Sequence, residues 1–291
     1  MSTPTPAIDL SRLPAPDVIE ALDYEALLEA ALARLGPDYV VSEADPAYKV
    51  LEAAGYRELL LRQRVNDAAR AVMLPTARGA DLDNLAALLG VERQIVTPAD
   101  PDAIPPVEAV YETDERLRQR AQLAPSAVST AGPASSYRFH ALSAAAEVLD
   151  VAVASPSPGS VTVTVLAREG NGEADADLLA AVESALNDES VRPLGDVLAV
   201  QSAAIVDYQV TAELTIGSGP DADAVLAAAV EAVTAYAAGA RRIGRSIPRS
   251  ALYAALHRPG VEAVDLTAPA ADVAITAVQA AHATRIQVTK A

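Results

Sequence analysis

The stretch ADPAYKVLEAAGYRELLLRQRVNDAARAVMLP, residues 44 to 75, restricts the architecture more than any other part of the chain. Asp45 is a good N-cap, Pro46 suits the first helical position, and Pro75 ends the run. Between the prolines there is no breaker other than Gly55, so residues 46 to 74 read as one helix about 43 Å long at roughly 1.5 Å per residue. That is long for a compact domain. Its apolar positions must meet something beyond a small local core.

The preceding LDYEALLEAALARL, residues 22 to 35, places Leu22, Leu28, Leu32 and Leu35 at helical spacing, and Gly36-Pro37 stops it. A third helix is expected over 82 to 89 in GADLDNLAALLGVER. There Asp81 reads as the cap, Leu82, Leu85 and Leu89 as the core face, Gly90 as the left-handed stop and Val91 as the closing residue. VTPADPDAIPPVE, 96 to 108, reads as a Pro-rich linker, DERLRQRAQL, 114 to 123, as a charged helix, and APSAVSTAGPAS, 124 to 135, as a loop.

Beyond residue 135 the periodicity changes from helical to alternating. VTVTVL, 161 to 166, alternates strictly, and VDYQVTAELTI, 206 to 216, sets Val206, Tyr208, Val210, Ala212, Leu214 and Ile216 on one face. SPSPGS, 155 to 160, makes a hairpin turn between VLDVAVA and VTVTVL. VLDVAVASP, 148 to 156, and VEAVDLTAP, 261 to 269, share a pattern and each follows a helix. DADLLAAVESAL, 175 to 186, and DADAVLAAAVEAV, 221 to 233, are also alike, each followed by R-x-[LI]-G. Chance likeness in an Ala/Val-rich chain and two modules built from similar units both remain open.

The expected fold is therefore α+β, an N-terminal helical region with a long helix followed by two small related α+β modules with antiparallel strands. Its divisions are 1–95 (helical, bundle-forming), 96–134 (Pro-rich linker and charged helix), 135–203 (middle α+β module) and 204–291 (C-terminal α+β module). The length of 291 residues suits two or three domains. With 3% aromatic residues, no Trp and Phe139 alone of its kind, the cores must be built from Ala, Val and Leu.

Composition narrows the function. A net charge of -17 argues against sequence-independent nucleic-acid binding and disfavours an anionic membrane surface. The absence of cysteine excludes disulfides, thiolate zinc sites and cysteine nucleophiles. The N-terminus lacks the pattern of a cleaved secretory signal, and no run approaches the roughly 18 apolar residues of a membrane span. Synthesis and folding in the cytoplasm are expected.

No familiar catalytic motif is present. There is no G-x-S-x-G elbow, no H-E-x-x-H and no phosphate-cradling glycine loop. Triad chemistry would need His140, His257 or His282, and the first two read as occupying equivalent places in the two similar helices. REGNGEADADLL, 168 to 179, alternates Asn171, Glu173, Asp175 and Asp177 as calcium ligands do, but lacks the glycine and distal glutamate of an EF-hand loop. The pairs Asp81/Asp83, Asp175/Asp177 and Asp221/Asp223 each precede an apolar helical run, which favours helix capping over catalysis. No catalytic, metal or cofactor-binding residue is assigned, and no cofactor is expected.

GARRIGRSIPR, 239 to 249, concentrates Arg241, Arg242, Arg245 and Arg249 in an acidic chain. The bland reading is a solvated loop paired with nearby carboxylates. The sharper one makes these four arginines a contact for an acidic neighbouring subunit, with phosphate binding a third.

The block from ADPAYKVLEAAGYRELLLRQRVNDAARA to GADLDNLAALLGVER resembles the N-terminal half of the phage baseplate assembly protein J family. GPASSYRFHALSAAAEVLDVAVASPSPGSVTVTVL, RPLGDVLAVQSAAIVDYQVTAEL and IGRSIPRSALYAALHRPGVEAVDL fit the same family, in order along nearly the whole chain. The resemblance implies a non-enzymatic wedge component of a contractile-tail baseplate, in a phage, an R-type tailocin or a related injection particle. It would be assembled in the host cytoplasm around the central spike hub. The implied partners are a second copy of itself, a tail protein I-like wedge protein, a lysozyme-like sheath-initiating wedge protein and the central spike proteins, with no nucleic acid and no membrane. The competing class is a tail-associated peptidoglycan-cleaving enzyme, for which Glu147 is the nearest candidate acid.

Overall fold

The computed structural model describes residues 8–14, 16–36, 41–129, 132–217 and 222–291, so Pro37 and Asp221 of the sequence reading lie outside it. Two compact units form. One comprises Thr3–Arg93 with Thr113–Gln122, the other Gln94–Glu112 with Leu123–Ala291.

The first unit is helical. Helix α1 (Tyr24–Ala33) starts at Asp23, whose carboxylate accepts from Glu25 N at 2.9 Å and Ala26 N at 3.4 Å. Helix α2 (Pro46–Ala71) ends three residues earlier than the proline spacing suggests. Asp45 holds the cap position, yet its carboxylate turns back to accept from Ser42 N and Oγ, which lowers its pKa. Buried Gly55 lies beside Tyr24 and Leu28, so α1 approaches α2 closely there. Asn66, also buried, reads the backbone of Glu20 in both directions, donating at 2.9 Å and accepting at 3.0 Å.

Helix α3 (Gly79–Ala87) corrects the capping of the third run. The cap position is Arg78, Asp81 falls in the first turn, and the Gly79 N–H donates to Asp114 at 3.2 Å. Asp83 accepts from Arg93 Nε at 2.7 Å, and Arg93 also donates to Asp114 at 2.7 Å. Burial alone raises the Asp114 carboxyl, but the Arg93 guanidinium and the Gly79 N–H outweigh it and hold the group below its ordinary value. Leu82 and Ala86 are buried whereas Leu89 is exposed, because the helix ends two residues sooner than expected. The stop is as expected: Gly90 has φ 71°, and Val91 N donates to Ala86 O at 3.0 Å in a Schellman arrangement.

Helix α4 (Asp114–Ala127) begins in the first unit and ends in the second. It runs through Pro125, so helix continues where a loop was expected from residue 124. In the first unit Arg118 donates to the carbonyls of Leu74 and Ala77, both at 2.7 Å, satisfying the turn after α2.

In the second unit the Pro-rich stretch is a β-ribbon, correcting its reading as a linker. Strand β1 (Ile95–Thr97) pairs with β2 (Val110–Tyr111), and Asp100 and Val107 exchange both backbone hydrogen bonds at 2.9 Å. The prolines sit where no ladder N–H is required. Gln94 anchors the base, accepting from Glu112 N and donating to Ser143 O at 2.8 Å.

The middle module runs α5 (Ala134–Ala144), β3 (Val148–Ser157), β4 (Ser160–Ala167), α6 (Ala176–Leu186) and β5 (Val197–Ser202). Asp175 caps α6, accepting from Leu178 N at 2.8 Å. The turn of the β3–β4 hairpin is Pro158-Gly159, with Gly159 at φ 74° as a tight hairpin requires. The C-terminal module runs β6 (Ala204–Ile216), α7 (Ala222–Ala240), α8 (Arg249–Leu256), β7 (Val261–Ala268) and β8 (Gln279–Lys290).

Each module has a three-stranded sheet, ordered β3-β4-β5 in one and β7-β6-β8 in the other. In both, the central strand is antiparallel to one neighbour and parallel to the other, so the strands are mixed and not all antiparallel. The similar sequences take corresponding places: β3 matches β7, α5 matches α8, and α6 matches α7. Their chain order differs. The middle module joins β3 directly to β4, whereas the C-terminal module begins with its central strand and reaches β7 through two helices.

The sheets carry the main cores. Tyr137, Leu142, Val148, Val163, Val165, Val182 and Leu186 fill the middle module, and Val210, Leu214, Val233, Ile247, Leu252 and Leu256 the C-terminal one. Helix α7 is 19 residues long with a mean hydropathy of 1.3 over its most apolar window, long and apolar enough to cross a membrane by composition alone. It instead lays Ala229 and Val233 on the β6 sheet and turns Asp223 and Glu231 outward.

Candidate assembly surfaces

The arginine-rich loop follows directly from α7. Arg241 lies at the seam between the two modules. Its guanidinium donates to Arg168 O at 3.1 Å, Glu169 O at 3.4 Å and Gly170 O at 2.8 Å, and burial lowers its pKa. These carbonyls belong to the loop considered above for calcium. A guanidinium therefore holds the backbone just before the four candidate ligands, Asn171 closes a local turn on Glu173 N, and Asp175 caps α6. Among the described residues no group of three or more His, Cys, Asp or Glu converges to hold a metal.

The arginine loop also meets Asp150, through the Ile243 N–H, a residue the sequence reading passed over. It is buried, and it accepts from Arg138 Nη2 at 2.6 Å and from Ile243 N at 3.0 Å. Asp150 thus joins the β3 strand to the arginine loop. The available signal was an acid inside the apolar strand VLDVAV. Leu166, Ala203 and Ala280 pack at the same seam, so β4 buries both faces from Val163 onward, beyond the single face its alternation suggests.

Arg249 is also used internally. It donates to Pro269 O at 2.6 Å, Leu266 O at 2.8 Å and Tyr253 Oη at 3.2 Å, tying α8 to the end of β7. Arg245 is exposed, with one contact to Gly239 O at 3.3 Å, and Arg242 is half-buried. None of the four arginines forms an ion pair with a described carboxylate. The internal partners of their guanidinium groups are backbone carbonyls and the Tyr253 hydroxyl, where the bland reading anticipated carboxylates. Arg242 and Arg245 keep guanidinium groups available to another molecule.

The titratable groups considered for chemistry are dispersed. His140 lies within α5 and His257 caps the end of α8, so they do not occupy equivalent positions. Burial pushes the His140 imidazole below its ordinary value, against a hydrogen bond with the Ala127 backbone. His282 pairs with Asp207 across β6 and β8 at 2.9 Å. Burial raises two core tyrosines, Tyr137, which donates to Asp196 at 2.7 Å, and Tyr208, pushed up to about 12. Glu147 is exposed, not seated in an apolar pocket.

The first unit presents a different surface. On α2, Val50, Ala54, Leu61, Val65 and Ala68 are exposed at helical spacing and Val72 at the C-cap continues them, with Leu61 64% and Val72 69% exposed. This apolar stripe is parallel to the packed one, so the helix is apolar on two sides.

Three stretches match family descriptions, the Baseplate J-like N-terminal domain over 43–100, the Baseplate J-like central domain over 129–202 and the Baseplate J-like protein C-terminal domain over 208–289. The chain belongs to the Baseplate J-like family. Among curated relatives, Baseplate protein J of Escherichia phage P2 is 48% identical over 294 residues, covering 97% of this chain and 97% of that protein. Among solved structures, a chain of the anti-feeding prophage (AFP) baseplate, a 6-fold symmetrised cryo-EM structure, is 18% identical. The match covers 62% of this chain and 44% of that one with a TM-score of 0.42. The Baseplate J-like matches span α2 and α3 and both sheets.

Proposed function

We propose that the chain is a structural component of a contractile-tail baseplate, and more narrowly a wedge component that assembles around the central spike hub and links wedges. The family and the near full-length similarity to Baseplate protein J of phage P2 support the baseplate role. The observation that carries the narrower reading is the exposed apolar stripe of α2, since large exposed apolar patches mark protein-protein contacts. A helix with a second apolar face is suited to a bundle with helices of other chains. Its partners in this reading are a second copy, a tail protein I-like chain, a lysozyme-like wedge protein and the spike, met in the host cytoplasm. Since Arg241 and Arg249 hold the fold together, the interface role proposed for the arginines narrows to Arg242 and Arg245.

The test introduces Leu61→Glu with Val65→Glu. The purified variant keeps its thermal unfolding, while particles assembled in its presence lack complete baseplates by electron microscopy. Normal particle yield from that variant, or crosslinks of the assembled wedge confined to residues 135–291, overturns the bundle reading. No specific observation favours peptidoglycan cleavage, because exposed Glu147 lacks the apolar setting that raises a catalytic acid.

A further inference from the structure

The ribbon from Ile95 to Tyr111 is almost wholly exposed, although it carries Ile95, Ile104, Val107, Val110 and Tyr111. Ile104, at its tip, is 99% exposed. A lone two-stranded ribbon is marginally stable in water, and this one has its apolar side chains in solvent. Its chemistry is one-sided, since Asp100, Asp102 and Glu108 are charged and no Lys or Arg occurs between Arg93 and Arg116. The complementary surface is therefore cationic and close to smooth apolar ground.

The same chain offers such a surface. Arg245 lies against the carbonyl end of α7, Arg242 precedes it by three residues, and the last turn of the neighbouring outer face of α7 exposes Ala235 and Ala238, with Glu231 a turn further from the loop. We propose that the ribbon is an arm that docks on a second copy of this chain, with Ile104 on the outer face of α7 and Asp102 and Glu108 against Arg242 and Arg245. In a chain of net charge -17, two arginines without carboxylate partners favour an acidic occupant, and the arm supplies one. The two surfaces differ, so the contact is head-to-tail. Repetition of it gives a ring or an open helix and does not stop at a dimer. This inference rests on the reading that copies of the chain meet in the assembly, and it assigns the surfaces.

The experiment uses the full chain in three forms, D102R/E108R, R242E/R245E and the fourfold combination, with sedimentation velocity as the readout. Both acidic side chains project from the ribbon without internal hydrogen bonds to described residues, so the unfolding temperature of D102R/E108R stays unchanged, whereas R242E/R245E also loses the Arg245 contact to Gly239 O and is compared well below its own unfolding temperature. Each double variant weakens self-association about tenfold or more, and the combination restores it. Because the natural chain has no cysteine, Ile104→Cys with Ala238→Cys gives disulfide-linked oligomers between copies under mild oxidation. Association unchanged in the double variants, no restoration in the combination, or a natural chain that stays monomeric at every concentration overturns the contact. Variants that associate normally and enter particles sink the arm and leave the baseplate reading intact. Absence of the natural chain from particles sinks that reading instead.

Discussion

Helix α2 and strand β4 are both rich in apolar residues, but they use them in opposite ways. Of the 26 residues in α2 only Gly55 and Asn66 are buried, and one of those is polar. Strand β4 buries six of eight, including Thr164. Apolar area removed from water supplies the main driving force for folding, roughly 25 cal/mol per Å². The sheet modules therefore hold their stabilising area internally, whereas α2 leaves much of its own in solvent. A protein can be well folded in one region and incompletely satisfied in another, and the unsatisfied region is where assembly is expected.

The strongest way to break that contrast is to truncate one leucine on each side of it. Leu214, fully buried at the centre of the β6 sheet, costs about 2–5 kcal/mol when changed to Ala, measured by urea unfolding of the isolated chain. Leu61→Ala on the outer face of α2 changes stability by less than about 0.5 kcal/mol in the same measurement. Comparable losses at both sites would mean that the α2 stripe is already covered within one chain.

A smaller effect tests whether the two sheet modules act as one body. Asp150→Ala leaves the Ile243 N–H and Arg138 without their buried acceptor, a loss of about 2–4 kcal/mol, and Asp150→Asn recovers part because it still accepts from Ile243 N. Hydrogen exchange should rise at the arginine loop in the Ala variant. Exchange confined to β3 would show that the modules are held by apolar packing alone.

The smallest expected effect is the dependence on pH. Burial favours neutral His140 in the folded chain, so its folded pKa lies below the ordinary 6.5 and the unfolded chain takes up the proton first. The stability contribution is complete above that value and is lost as the pH falls below it. His140→Gln flattens this acid limb in unfolding measurements between about pH 7.5 and about pH 5. An unchanged limb would assign the acid sensitivity to other groups.

Much of the fold was legible in the sequence because it depends on local signals. Asp45-Pro46 marks the start of α2, Gly90 the stop of α3, and the alternation from Val206 to Ile216 the inward face of β6. Other elements gave misleading signals because distant groups outvoted local ones. Asp81 has the sequence of a cap, but Asp114, 35 residues away along the chain, accepts from the first N–H of α3. The prolines of 98 to 106 read as a linker because proline lacks a ladder donor, yet a ribbon tolerates them at unpaired positions. Arg241 and Arg245 looked alike as sequence, and only burial separates a guanidinium that closes a seam from one that faces water.

By itself the sequence determined the order of helices and strands, the Ala/Val/Leu character of the cores and the family, since these follow from periodicity, end signals and residue order. Tertiary structure decided which parallel strand completes each sheet, which backbone groups Asp150 and Arg241 each meet at the seam, and which apolar residues of α2 stay in solvent. Those outcomes depend on contacts between residues far apart in the chain, and no local pattern encodes the partner of a side chain.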